Sequence, residues 1–186
     1  MHPAPSFAFL GLFCTRALAR VLIGVACLVG GWSAWAVDHN DVQKLLRQAK
    51  DKEAMALVET ALATKPRDPQ MRFWEGYIYE QLGQPQLAKP IYVALTQEHP
   101  ELAEPHNNLG VLLAAEGQYG EARQMFELAL RANPRYAVAQ ENLGDVLLQL
   151  ARQAYKRALE IDATQRSAAK KIDLLQPVTA LSEKKP

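Results

Sequence analysis

Apolar residues along this chain recur at helical spacing and then break off on a regular beat. In the stretch NNLGVLLAAEGQYGEARQMFELALRANP, Leu109, Leu112 and Leu113 share one helical face, Gly117 supplies a break, and Ala122, Phe126, Ala129 and Leu130 form a second stripe before Pro134. The pattern predicts two helices joined by a short turn. Gly110 and Ala122 lack bulk where the two helices cross, and Phe126 fills the space beside them. Pro134 cannot continue a helix and so marks where the next unit begins.

The same pattern returns at an offset of 34 residues. Pro66, Pro100 and Pro134 fall in phase, as do Ala54, Ala88 and Ala122, Gly76, Gly110 and Gly144, and Gly83 with Gly117. Large apolar residues keep the beat: Leu45, Tyr79, Leu113 and Leu147 in one phase, Val58, Tyr92 and Phe126 in another. So many aligned series point to a stack of helical hairpins.

This order of Gly, Tyr or Leu, Gly, Ala, Phe or Tyr, Ala and Pro resembles the tetratricopeptide repeat family over residues 38 to about 165. Units 69–102 and 103–136 carry the motif most fully, while unit 37–68 has Val42 and Ala49 where the motif prefers glycine. The resemblance implies an all-α, helical-hairpin solenoid of about three full repeats, a shortened fourth at 137–165, a cap at 166–175 and a flexible tail at 176–186.

The fourth unit lacks its interhelix turn. NLGDVLLQL continues the first-helix phase and ARQAYKRALEID matches a second helix, but the five residues corresponding to GQYGE are absent between Leu150 and Ala151. From Asp145 to Asp162 there is no Gly, Pro, Asn or Ser, and the junction is made of strong helix formers. Leu143, Leu147, Leu150, Ala154, Ala158 and Ile161 run as one apolar stripe. One continuous helix is predicted from about Ala139 to Ile161, about 34 Å long, with a tight hairpin at 149–152 as the alternative. The side bearing Leu148, Tyr155 and Leu159 then needs a cover, from the capping segment, from a partner or from a second copy in a homodimer. Within the cap, Ala168, Ile172 and Leu175 share a face.

The first 36 residues differ from the rest. They hold Arg16 and Arg20, no acid, the apolar stretch VLIGVACLVGG, and SAWA, whose Ala34 and Ala36 match the small-x-small rule for signal-peptidase cleavage. Cleavage near Ala36, giving a periplasmic protein, is the leading expectation. Attachment to the inner membrane, facing the periplasm, is the alternative, because residues 21–37 are 17 uncharged positions, at the lower edge of a span. Both cysteines, Cys14 and Cys27, lie in this segment, so a processed chain has no disulfide and no thiol nucleophile.

Of 21 basic residues two are Arg16 and Arg20, so the remaining chain has 19 against 20 acids, a net of −1. That balance argues against nucleic acid, which asks for a clustered basic face. The four histidines, His2, His39, His99 and His106, are isolated, and no metal, phosphate-loop or nucleophile-elbow motif is present. The reading is no enzyme, no cofactor and no metal.

A solenoid of this kind uses the concave face lined by its first helices to bind extended partners. By family resemblance the lining positions are His39, Asn40, Gln43 and Arg47, then Gln70, Phe73, Trp74, Tyr77 and Glu80, then Glu104, Asn107, Asn108 and Val111, then Val138, Glu141, Asn142 and Asp145. Asn40, Asn108 and Asn142 share a phase and resemble the asparagine ladder of some peptide-binding members, since a carboxamide offers donors and an acceptor to a peptide backbone. Capping or solvating a helix is the other role open to them. Phe73 and Tyr77 offer an apolar anchor, and the acids favour a neutral or basic segment over an acidic one. The expected function is a non-enzymatic adaptor or scaffold of the bacterial cell envelope that binds a protein or peptide. The alternative is a structural subunit of an envelope assembly, such as a pilus, secretion or outer-membrane system, making contacts through the long terminal helix.

Overall fold

The computed structural model describes residues 38–182, with side chains described as far as residue 176. The expected leader, with its cleavage site and membrane alternative, lies outside the described residues. Among the described residues the secondary structure is helical throughout, in the order α1 (His39–Arg47), α2 (Asp51–Thr64), α3 (Pro69–Gln81), α4 (Pro85–Glu98), α5 (Ala103–Ala115), α6 (Tyr119–Ala132), α7 (Ala137–Ile161) and α8 (Arg166–Ser182). Each helix packs on its neighbours in sequence, with added contacts of α1 with α3 and α5 with α7. This is an all-α stack of hairpins.

The short turns follow from one backbone device used three times. After α3, Gly83 has φ +71° and its N–H donates to Glu80 O at 2.9 Å, while the Gln84 N–H reaches Tyr79 O at 2.8 Å. After α5, Gly117 (φ +77°) and Gln118 make the same pair of bonds to Ala114 and Leu113. These close the helix by satisfying carbonyls that no further turn would reach. After α1 the position is filled by Ala49, forced to φ +54° with the same bonding to Leu46 and Leu45. An L-residue there is strained by about 1 kcal/mol or more.

Inside each hairpin, the ring of the second helix occupies a notch on the first. A Cβ added to Gly76 would lie 2.8 Å from Tyr92 Cε1, and one added to Gly110 would lie 2.6 Å from Phe126 Cε1. Tyr92 and Phe126 are fully buried, each contributing about 2–3 kcal/mol of apolar burial. Around them Phe73, Ala88, Leu95, Leu109, Leu112, Leu113 and Ala122 form the larger core; Val42, Ala54, Met55, Val58, Met71 and Ile78 form a second. Trp74 and Tyr79 pack against both clusters and join them.

The fourth unit departs from this scheme. Without a glycine after Leu150 the helix does not close, and α7 runs unbroken for 25 residues. Its Gly144 therefore has nothing within 4 Å of an added Cβ. The predicted stripe does not all turn inward. Leu147 is 47% exposed where its counterpart Leu113 is 6% exposed, Ala154 is exposed, and Ile161 is 87% exposed. The cause is the lost turn, which leaves no second helix to lie on that flank. The core instead receives Ala139, Val146 and Gln149, with Leu143 and Leu150 at its edge.

The α8 helix packs on α7, with Ala168 buried and Ile172 and Leu175 half-buried. Leu148, Tyr155 and Leu159 of α7 are half-buried, and Lys171 Nζ stands 5.2 Å from the centre of the Tyr155 ring. Of the side expected to need a cover, Tyr155 thus meets the capping helix, and all three residues keep part of their surface exposed. The helix α8 continues to Ser182, into the segment expected as the tail.

The two kinds of glycine should respond oppositely to one methyl group. Gly110→Ala must displace Phe126 and should lower stability by about 1–3 kcal/mol. Gly144→Ala has open space and should raise it by up to about 1 kcal/mol through helix propensity. Urea unfolding followed by circular dichroism measures both; equal losses would contradict the open flank of α7.

Candidate functional site

Two adjoining cavities, of about 310 and 470 Å³, open along the face formed by the first helices α1, α3 and α5. Gln43, Phe73, Trp74 and Glu104 line both. The smaller is completed by His39, Gln70, Leu102 and Pro105, and the larger by Leu46, Arg47, Tyr77, Asn108 and Tyr136. Asp68 caps α3 by accepting from the N–H groups of Gln70 and Met71, both at 3.0 Å, which sets the start of the helix carrying the aromatics. Its residues Phe73, Trp74 and Tyr77 then fall on the face shared with the groove.

The aromatic rings form a connected cluster. Phe73 and Trp74 meet edge to face with centroids 5.3 Å apart, Trp74 and Tyr77 do so at 5.7 Å, and Phe73 also lies 6.0 Å from the core ring of Tyr92. The groove wall is thus continuous with the notch packing beneath it. The Trp74 indole N–H is buried without an acceptor among the described residues, an unmet donor in the wall of both cavities.

The asparagines do not stand as a free row. Asn142 Nδ2 donates to Asn107 Oδ1 at 2.9 Å, Asn107 Nδ2 donates to Asn108 Oδ1 at 3.1 Å, and Asn108 Nδ2 donates to Glu80 Oε2 at 3.2 Å and the Tyr92 oxygen at 3.1 Å. The Tyr92 hydroxyl donates to the same Glu80 Oε2 at 2.6 Å. Five side chains from α3, α4, α5 and α7 make one chain in which the donors lead toward the Glu80 carboxylate. A half-buried carboxylate needs such donors, and this requirement claims carboxamides that a ladder would offer to a ligand. Asn107, only 4% exposed, does not line the groove as expected. Asn40 is exposed and donates to the Asp38 carboxylate at the start of α1.

Of the other expected lining residues, His39, Gln43, Arg47, Gln70, Phe73, Trp74, Tyr77, Glu104 and Asn108 come together around the cavities. Glu141, Asn142 and Asp145 on α7 line neither, and nor do the exposed Val111 and Val138. Leu102 and Tyr136 were not foreseen, although a signal exists. They occupy the N-cap positions of α5 and α7, in phase with Asp68, and neither makes a side-chain capping bond. An apolar group where Asp or Ser would stabilise the helix breaks a local rule, and such breaks gather at functional places.

Burial raises the Glu80 pKa above the ordinary carboxylate range, against the opposing hydrogen bonds from Tyr92 and Asn108. Burial, and then the charge of Glu80, raises the Tyr92 phenol. The Tyr136 phenol is likewise raised by burial, and secondarily by the negative charge of Glu104. Burial lowers His106, whose Nε2 lies 3.2 Å from Pro100 O, a structural role. Among the described residues no group of three or more His, Cys, Asp and Glu could hold a metal ion.

Models of the tetratricopeptide repeat match residues 43–103 and 103–136, together half of the chain. The chain belongs to the tetratricopeptide repeat family. Among curated proteins it is 29% identical over 94 residues to the "Probable biofilm formation methyltransferase WspC" of Pseudomonas aeruginosa; the match covers 50% of this chain and 22% of that one. The chain therefore matches only about a fifth of that relative's length. Among solved structures, the Pseudomonas aeruginosa pilF structure is 23% identical, with TM-score 0.56, over 74% of this chain and 65% of that one. The first tetratricopeptide domain of human RPAP3 is 18% identical, with TM-score 0.56, over 61% and 89%. A third, the first such domain of Spaghetti (RPAP3) bound to the HSP90 peptide SRMEEVD, is 18% identical, with TM-score 0.56, over 61% and 90%. These likenesses share the fold.

Because Glu80 holds its proton more tightly folded than unfolded, its contribution favours folding below the unfolded pKa and is lost as pH rises through the folded value. Glu80→Gln keeps an acceptor for Tyr92 and Asn108 without the charge. Relative to this variant, the wild type should be more stable near pH 4 than near pH 7, measured by urea unfolding at each pH. A pH-independent difference would refute the role given to burial.

Proposed function

We propose that this protein is a non-enzymatic adaptor of the bacterial cell envelope that binds an extended segment of another protein in the groove along α1, α3 and α5. The observation that carries the reading is the pair of adjoining cavities walled by Phe73, Trp74 and Tyr77. Concave apolar surface with a few converging polar groups is the usual form of a recognition site. The envelope location rests on the leader pattern of residues 1–36. Processing near Ala36 leaves the repeats in the periplasm.

The similar structure that holds the HSP90 peptide SRMEEVD takes an acidic segment. In this groove Glu104 stands on both cavities and argues for a different ligand charge. A photo-crosslinking residue at position Tyr77 in the native envelope should attach to a partner polypeptide, whereas one at the exposed Gln124 of α6 should not. Capture only from Gln124 would overturn the reading.

A second reading, a subunit joined to its neighbours or to another copy through α7, is favoured by the exposed Gly144, Leu147, Ala154 and Ile161. Restoring GQYGE after Leu150 should let the second half of α7 fold back over that flank and abolish any assembly that depends on it. Light scattering that records the same mass before and after the insertion would remove this reading.

A further inference from the structure

We infer that the larger cavity is a cage for a basic side chain, lysine or arginine, carried by the bound segment, with Glu104 as its counter-ion. The inference rests on the groove reading and specifies its ligand. One cavity of about 470 Å³ is lined by four aromatic residues, Phe73, Trp74, Tyr77 and Tyr136, together with the acidic Glu104 and the basic Arg47. Aromatic faces attract a cation through their quadrupole, and a carboxylate supplies the opposite charge at close range.

Three observations separate this from an apolar pocket that happens to have a charged rim. Glu104 has no ion pair or hydrogen bond among the described contacts, unlike Glu98 and Glu116, which pair with Arg72 and Lys89. Glu104, itself exposed, lines the same cavity as Tyr136, whose phenol is raised first by burial and then by the Glu104 charge. Tyr136, at the N-cap of α7, brings an aromatic side chain from a fourth repeat unit to the lining of the same cavity.

Arg47 lies on the rim of the same cavity and is exposed. It adds a positive charge to this lining, and a bound basic side chain is attracted to Glu104 and repelled by Arg47. An acidic or neutral residue of the same segment is left to face Arg47. Phe73 and Trp74, common to both cavities, are the apolar anchor of the segment.

Positional-scanning octapeptide libraries, each with one fixed residue and read by fluorescence polarisation against the full chain, test this. Pools fixed as arginine or lysine should bind about tenfold more tightly than pools fixed as citrulline or glutamate. Glu104→Gln should erase that preference, and Arg47→Gln should strengthen binding of the basic pools, both variants showing wild-type circular dichroism. Equal binding of basic, citrulline and acidic pools, or a preference that survives Glu104→Gln, overturns the cage and leaves the groove reading standing. Binding of no pool, or binding that Tyr77→Ala leaves unchanged, overturns the groove reading and the cage with it.

Discussion

The contact on which the rest depends is a ring entering a glycine notch. Tyr92 against Gly76 and Phe126 against Gly110 set how closely the two helices of a hairpin approach, because neither glycine has room for even one more carbon. That approach fixes the tilt of each first helix, and so decides which of its side chains reach the face it shares with the next. Phe73 shows the connection directly: it touches the Tyr92 ring on one side and lines both cavities on the other.

Tyr92 does a second job through its hydroxyl. By donating to Glu80 it brings a half-buried carboxylate into register with Asn108, and the asparagine relay then runs on through Asn107 to Asn142 in the next unit. Apolar packing alone is tolerant of small slips between helices. A chain of directional bonds ending on a charge is not, since any broken link leaves a buried polar group unpaired. The repeats are therefore locked by two kinds of contact with different tolerances, and the polar one lies directly beneath the groove.

The missing turn shows what the notch contact does by removing it. Gly144 keeps its place in the repeat phase, but the residue aligned with Phe126, Tyr155, is carried away along the same helix to meet Lys171 of α8. A stack of this kind has to end with some surface not covered by a further repeat. Here α8 packs on α7 and meets Tyr155 through Lys171, and the flank of Leu147 and Ile161 stays open.

Local chemistry was enough to announce the hairpins, their 34-residue period, the turns at Gly83 and Gly117, the continuity of α7 and the aromatic wall at Phe73, Trp74 and Tyr77. Each depends on spacing within one or two helices, which is printed in the order of residues. Which flank of α7 would be buried was not legible there, because apolar period alone does not say on which side a neighbour lies. Nor was the fate of the asparagines: the same carboxamide serves a ligand or a neighbouring unit, and only the positions of Glu80 and Tyr92, up to 28 residues distant from Asn108, decide between them. Tyr136 entered the cavity wall by the same route, from a loop whose direction is set by the packing of the helices on either side. The sequence by itself determined the elements and their repeat; the tertiary structure alone decided which polar groups were already paired, because pairing depends on distances between units that no local pattern encodes.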